Sequence, residues 1–311
     1  TPEPRYVPRR CAKASISYAY TKRTAGLHRK TIAFDARTER WSPDPGRPPI
    51  PGLILYAQVD GAFSVWDPSR NYWKGDAPDR PNSYLFKPHE VWDGTDFCEG
   101  LIRDWGSWQR EKSGPFQLFG SILKTLSPSA NESLEAGELR KLTGSDPRRY
   151  PTLRMPYGED VAVIHASAGM RRIIALAYLL IWTWEEHLAA ATVRGEAPAK
   201  EIIFLIDEIE AHLHPQWQRR IVPALLTVMD ALTGKHGSKV QLIAATHSPL
   251  VLASVEPTFD VDEDAWFDLD LEQKRVVLRK RPYVRHGEVG NWLVSEAFDL
   301  KEPRSLEGEQ A

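Results

Sequence analysis

Two apolar runs, Ile202 to Ile206 and Val240 to Ala245, separated by an amphipathic stretch over 215–232, constrain this chain more than any other feature of it. Strands that do not alternate between apolar and polar residues are buried on both faces, and two of them joined by one helix make a parallel βαβ unit. The expected class is therefore α/β, with a mostly parallel sheet at its core. Open sheets of this kind bind ligands beyond the carboxyl ends of their strands. The first run ends in Asp207 and Glu208 and the second in Thr246 and His247, so one edge of the sheet should carry all four.

Neighbouring side chains on an extended backbone point in opposite directions. That suits Asp207 and Glu208 to separate tasks, Asp207 holding Mg²⁺ through water and Glu208 orienting or deprotonating an attacking water. A carboxylate pair that merely closes a strand in solvent is the plain alternative. A third reading, a metal site on His212 and His214, lacks a further His or Cys nearby, and Pro215 makes these histidines residues of a turn before a helix. His247 could bond a phosphate oxygen or act as a structural hydrogen-bonder. Upstream, Ser167, Ala168 and Gly169 open a long helix expected to reach about residue 190. Small residues there leave the first backbone N–H groups open to an anion, which the helix dipole favours; Ser167 could equally be an ordinary N-cap.

The rest of the chain frames this core. An antiparallel subdomain and the start of the main head are expected over 1–75: a hairpin with strands at 15–23 and 29–37 connected around Gly26, a Pro-rich loop over 42–52, an apolar strand over 53–59 and a half-buried one over 61–68. Residues 76–155, with Trp92, Trp105 and Trp108 and helices near 98–112 and 115–126, are read with Trp73 as a helical insertion holding its own small core. The core that carries the acid pair, His247 and the Ser167 helix start follows over 156–258, then a hairpin and tail over 259–311. Asp-x-Asp pairs within 259–272 could belong to a nuclease-like acidic metal cluster, but the alternation over 266–280 favours a hairpin. The basic run 279–288 could touch a nucleic-acid backbone or form a solvated face.

With 40 Lys and Arg against 42 Asp and Glu, the net charge of −2 gives the whole chain no attraction for nucleic acid or anionic membrane. The longest apolar run, 173–184, falls short of the roughly 20 residues that a membrane helix needs and reads as a core helix. Cys11 and Cys98 have neither zinc-like spacing nor the look of a disulfide framework, which favours a reducing cytosol as the expected location.

The segments SAGMRR (167–172), IIFLIDEIEAHLHP (202–215) and LIAATHSP (242–249) resemble the signature motif, the Walker B segment with its D-loop, and the switch-histidine loop of ABC-type ATPases. The resemblance is to stand-alone P-loop ATPases of the RecF, structural-maintenance-of-chromosomes and overcoming-lysogenization-defect type, many of them in DNA repair and antiphage systems. It covers about residues 155–255. It implies an ATP-hydrolysing head that works with ATP and Mg²⁺ as a nucleotide-gated dimer controlling an effector protein, with DNA a further partner and no membrane. Carried onto this sequence, Asp207 would serve Mg²⁺, Glu208 would be the general base and His247 the γ-phosphate sensor. Ser167, Ala168 and Gly169 would meet the γ-phosphate of a nucleotide held by a second protomer. Glu210 to His214 would be the D-loop, and Gln58 takes the Q-loop position.

The sequence departs from that family in one respect. A P-loop has the form G-x-x-x-x-G-K-[ST], whose backbone N–H groups cradle the phosphates while the Lys reaches the β and γ oxygens. No such string occurs, and Gly234-Lys235 is followed by His236 without the earlier Gly. The expectation is that the motif precedes Thr1 or comes from another polypeptide, that further sequence follows SLEGEQA (305–311), and that this chain by itself is inactive. A non-hydrolysing scaffold of the same fold that binds an effector is the alternative from a different functional class.

Overall fold

The computed structural model describes residues 14–22, 25–35, 37–38, 40–41, 50–71 and 83–305. Most of the Pro-rich loop, Cys11, Trp73 and residues 306–311 lie outside them. The chain divides into two compact units, Thr1–Pro51 and Gly52–Ala311. In the first, β1 (Ser15–Lys22), β2 (Ala25–Asp35) and β3 (Arg40–Trp41) form an antiparallel sheet. The pairing of Lys22 with Ala25 closes the hairpin more tightly than expected and puts Gly26 inside β2. Phe34 is buried, edge-on to Trp41 at 5.3 Å between ring centres.

The second unit begins with β4 (Leu53–Ala57), β5 (Phe63–Trp66), β6 (Tyr84–Phe86), α1 (Pro88–Asp93), α2 (Leu101–Glu111) and α3 (Gly114–Thr125). Three short strands follow, β7 (Glu135–Ala136), β8 (Thr152–Arg154) and β9 (Asp160–Ala162), and then the long α4 (Ala168–Val193). The remainder is β10 (Glu201–Ile206), α5 (Pro215–Gln218), α6 (Ile221–Thr233), β11 (Lys239–Ala244), α7 (Pro249–Val255), β12 (Trp266–Glu272), β13 (Arg275–Arg281) and α8 (Val289–Leu293).

The central sheet has the order β11-β10-β4-β5-β6. β10 runs parallel to both β11 and β4, whereas β5 and β6 are antiparallel additions. The strands expected over 53–68 belong to the main sheet, because Leu53, Leu55 and Ala57 share the buried face of Ile202, Phe204 and Ile206. Gly52 lets β4 enter: its φ is +108°, and a Cβ there would sit 2.0 Å from the Glu201 carbonyl oxygen. One expectation fails at β11. Its unbroken apolar run predicts burial on both faces, but it forms the sheet edge among the described residues, and Ile243 is 48% exposed.

α4 crosses the unit with Ala177 to Trp184 buried at every position. Its 26 residues have the length and composition of a membrane span, yet most of its apolar stretch is buried inside the unit, as the core-helix reading expected. Trp105 of α2 and Phe119 of α3 meet edge-on at 4.7 Å, and both join the cluster that contains Tyr178 of α4. The buried side chains of α2 and α3 therefore belong to the common core and do not form a separate one among the described residues of 76–155. That region also supplies β7 and β8 of a small sheet that β9 completes from residues 160–162, a sheet that sequence patterning did not reveal. The helix read as continuous over 215–232 is broken at Arg219 and Arg220. Pro223 has no N–H to give the Arg219 carbonyl, so the turn cannot continue.

A buried polar bracket holds the far end of α4. His187 donates from Nδ1 to Asp67 at 2.8 Å and accepts the Ala199 N–H on Nε2 at 2.8 Å. The C-terminal hairpin turns at Gln273 and Lys274, both with positive φ, as in a two-residue turn of the primed type. Its Asp268 and Asp270 bond to Arg281, so this Asp-x-Asp pair serves as ion-pair partners, while Asp260 and Asp264 accept backbone N–H groups in the turn ahead of the hairpin.

Candidate functional site

Asp207 leaves β10 with its N–H bonded to Ala57 O at 3.0 Å, and the chain is held on its other side by Ala245 N–H to Ile206 O at 2.9 Å. Glu208 then adopts φ +44°. The opposite orientation expected from an extended strand therefore does not apply to this pair. A left-handed turn begins at the second acid, at a cost of about 1–2 kcal/mol for a residue with a Cβ. Both carboxylates are half-buried, and neither has a hydrogen-bonding partner among the described residues. Hard, unengaged oxygens at the carboxyl edge of a sheet fit Mg²⁺.

The loop that follows is tied to the next strand. Ile209 N–H bonds Ala245 O at 3.1 Å. Glu210 accepts the Thr246 hydroxyl at 2.6 Å on one oxygen and the His247 N–H at 2.5 Å on the other. The Ser248 hydroxyl donates to Gln218, whose amide donates to Leu213 O. His247 itself is exposed. His214 caps α5 by accepting the Gln216 N–H, with Pro215 at the first helical position, which agrees with the turn reading of these histidines. Among the described residues no group of three His, Cys, Asp or Glu side chains could hold a metal.

Gln58 follows β4 directly, beside the strand that delivers Asp207. Its amide is engaged locally, donating to Ser64 Oγ at 3.2 Å. Ser167 caps α4, accepting the Met170 N–H at 3.3 Å, and both it and Ala168 are exposed. Gly169 is buried against the loop after β10, where a Cβ would come within 2.7 Å of His212 O. Adjacent strand ends thus assemble Gln58, Asp207, Glu208 and the His247 loop, and α4 brings its first turn against His212.

Sequence reasoning missed Arg172. Its guanidinium donates to Val59 O at 2.8 Å, Asp207 O at 3.2 Å and Glu208 O at 3.1 Å. Burial pushes the group below its usual range, while the carboxylates of Glu208, Glu210, Asp207 and Asp60 oppose that shift. Neighbouring Arg171 instead lies over the Trp92 ring, 5.6 Å from its centre, on the wall of a cavity of about 510 Å³. The available signal was a charge just ahead of the apolar run 173–184.

Residues 80–253 match the family described as "AAA domain, putative AbiEii toxin, Type IV TA system", a span that includes Ser167 to Gly169, Asp207, Glu208 and His247. The chain is 34% identical over 99 residues to the "Retron Vc95 probable ATPase" of Vibrio cholerae serotype O1 biovar El Tor, covering 32% of this chain and 17% of that protein. It is 31% identical over 135 residues to "Septu protein PtuA" of Bacillus mycoides (strain KBAB4), covering 43% of this chain and 16% of that protein. The chain spans less than a quarter of the length of these two relatives. Among solved structures, the SMC head domain from Thermotoga maritima aligns with a TM-score of 0.37 and 11% identity over 88% of this chain and 75% of that one.

Proposed function

From the fact that this chain belongs to the family described as "AAA domain, putative AbiEii toxin, Type IV TA system", an α/β family of P-loop ATPases, we propose that it is the acid-pair-bearing part of an ATP-hydrolysing head. The head works as a nucleotide-gated dimer that controls an effector protein, in the cytosol and in the service of antiphage defence. Similarity to a retron ATPase and to a Septu protein supports the defence setting. The observation that carries the chemistry is the acid pair: two carboxylates without hydrogen-bonding partners among the described residues, at the end of a strand flanked by two parallel neighbours, beside a loop bearing His247.

In this reading a water attacks the γ-phosphorus of ATP, the new P–O bond forms as the bond to the β,γ-bridging oxygen breaks, and ADP leaves. Glu208 takes the proton from the water. His247 donates to a γ-phosphate oxygen and reports its loss, and Gln58 joins them at the strand edge. Mg²⁺, when bound, screens the phosphate charge, and Asp207 would hold it. Ser167, Ala168 and Gly169 complete the site of a second protomer, their exposed helix start facing its γ-phosphate. No G-x-x-x-x-G-K-[ST] string lies within residues 1–311, so the phosphate cradle is a part of the site that these residues do not supply. A scaffold that binds an effector without turnover is the other outcome, and DNA is a further candidate partner.

The test is Glu208→Gln in the complete ATPase. The amide fills the same space but takes no proton, so hydrolysis should slow by about 10²- to 10⁴-fold while ATP binding persists and ATP-bound dimer accumulates. Turnover at the parent rate would remove Glu208 from the role of base. A parent protein without magnesium-dependent turnover would favour the scaffold.

A further inference from the structure

Arg172 lies four residues beyond Ala168, so both occupy one face of α4. From there its fork reaches three main-chain carbonyls on two strand exits, Val59 O after β4 and Asp207 O and Glu208 O after β10. The acids' own side chains have no hydrogen-bonding partner among the described residues, so their aim is set through the backbone that this guanidinium grips. Glu208 sits at φ +44°, a conformation that the surrounding contacts must hold. Gly169, three residues before Arg172, presses against His212 O at the other end of the same loop. The first turn and a half of α4 therefore touches the loop at both of its ends. A shift of the helix start would be passed to the acids by direct contact.

We propose that Arg172 is a positioning residue that ties the acid pair of one nucleotide site to the helix start serving the other, so that nucleotide meeting Ser167 in one site sets the geometry of Asp207 and Glu208 in the second. This rests on the composite-site reading above. Lys cannot substitute fully, since an ammonium is a compact point charge and cannot span the carbonyls as a planar fork does.

The experiment uses the complete ATPase with Arg172→Lys and Arg172→Met. In the Met variant kcat should fall about 10²-fold, as misplacement of catalytic groups by about 1 Å can cost, with KM for ATP within about threefold of the parent. The Hill coefficient for ATP, above 1 in the parent, should fall to 1. Lys should recover part of kcat, and millimolar guanidinium should partly restore the Met variant. Amide exchange in the nucleotide-free protein gives a readout apart from activity: residues 208–213 should exchange faster in the Met variant, with β10 and β11 as in the parent. Parent-like kcat in the Met variant, or a parent Hill coefficient of 1, would overturn the proposal. So would faster exchange spread evenly over β10 and β11, which marks a general structural support. If the parent does not hydrolyse ATP, the ATPase reading fails, while exchange over 208–213 still decides whether Arg172 holds the loop.

Discussion

Glu210 shows how much of the site depends on a side chain outside the chemistry. One carboxylate holds both the Thr246 hydroxyl and the His247 N–H, and so keeps the loops after β10 and β11 in register. Removing it leaves two donors without their charged acceptor. Glu210→Ala should destabilise the protein by about 1–3 kcal/mol, the range for losing a hydrogen-bonded charged partner, with Thr246→Val costing less. Chemical denaturation reads this directly, and an unchanged midpoint for Glu210→Ala would mean that the bracket contributes nothing. The residue was legible in the sequence only as part of the D-loop. Its partners lie 36 and 37 residues away, and no local pattern encodes which carboxylate of the D-E-I-E segment turns inward.

Elements divide by how local their causes are. The C-terminal hairpin was readable because period-2 alternation and a polar turn are local, and its two faces follow. Leu269 pairs with Leu278 and Leu271 with Val276 on the exposed apolar face, with ion pairs on the other. The β7-β8-β9 sheet was not readable, since its strands are two or three residues long and too short for any period to register. A side chain anchors it instead. Asp160 bonds Arg154 across the turn and accepts the Glu138 N–H at 3.1 Å. The Arg154 guanidinium and that N–H hold the Asp160 carboxyl below the usual carboxylate range. A depressed value favours the charged form in the folded state. Its stabilisation is complete above the unfolded value of about 4 and is lost as the pH falls through the lower folded value. Thermal melts should therefore show a decline below about pH 4 that is smaller in Asp160→Asn. An identical acid profile in that variant would exclude this carboxylate as a contributor.

At the scale of the whole molecule, the composite-site reading makes a demand on the dimer that a self-contained site does not. Take two complete proteins, one with Glu208→Gln and the other with Ser167→Arg, which puts a bulky side chain where the γ-phosphate must approach. In a mixed dimer both lesions fall on one site and leave the second with an intact acid pair and an intact helix start. Equal mixtures pair at random, so activity should rise from near zero to roughly a quarter of the parent value per site for a symmetric dimer. Subunit exchange is verified separately, and partial recovery short of a quarter would measure the coupling through Arg172, because the working acid pair belongs to the protomer that carries Ser167→Arg. No recovery despite proven mixed dimers would favour a site complete within one protomer.

What the sequence by itself determined is the part governed by neighbouring residues: the parallel βαβ unit, the strand-end placement of Asp207, Glu208 and His247, the helix start at Ser167, and the turn that His214 and Pro215 make. Periodicity, caps and proline act over a few residues, so they can be read from the chain. Tertiary structure alone decided that β4 and β5 join the central sheet, that β11 lies at its edge among the described residues, that α2 and α3 share the core of α4, and that Arg172 grips the acid pair. Each of these depends on which distant segment supplies a hydrogen-bonding or apolar surface, and only the assembled chain brings those segments into contact.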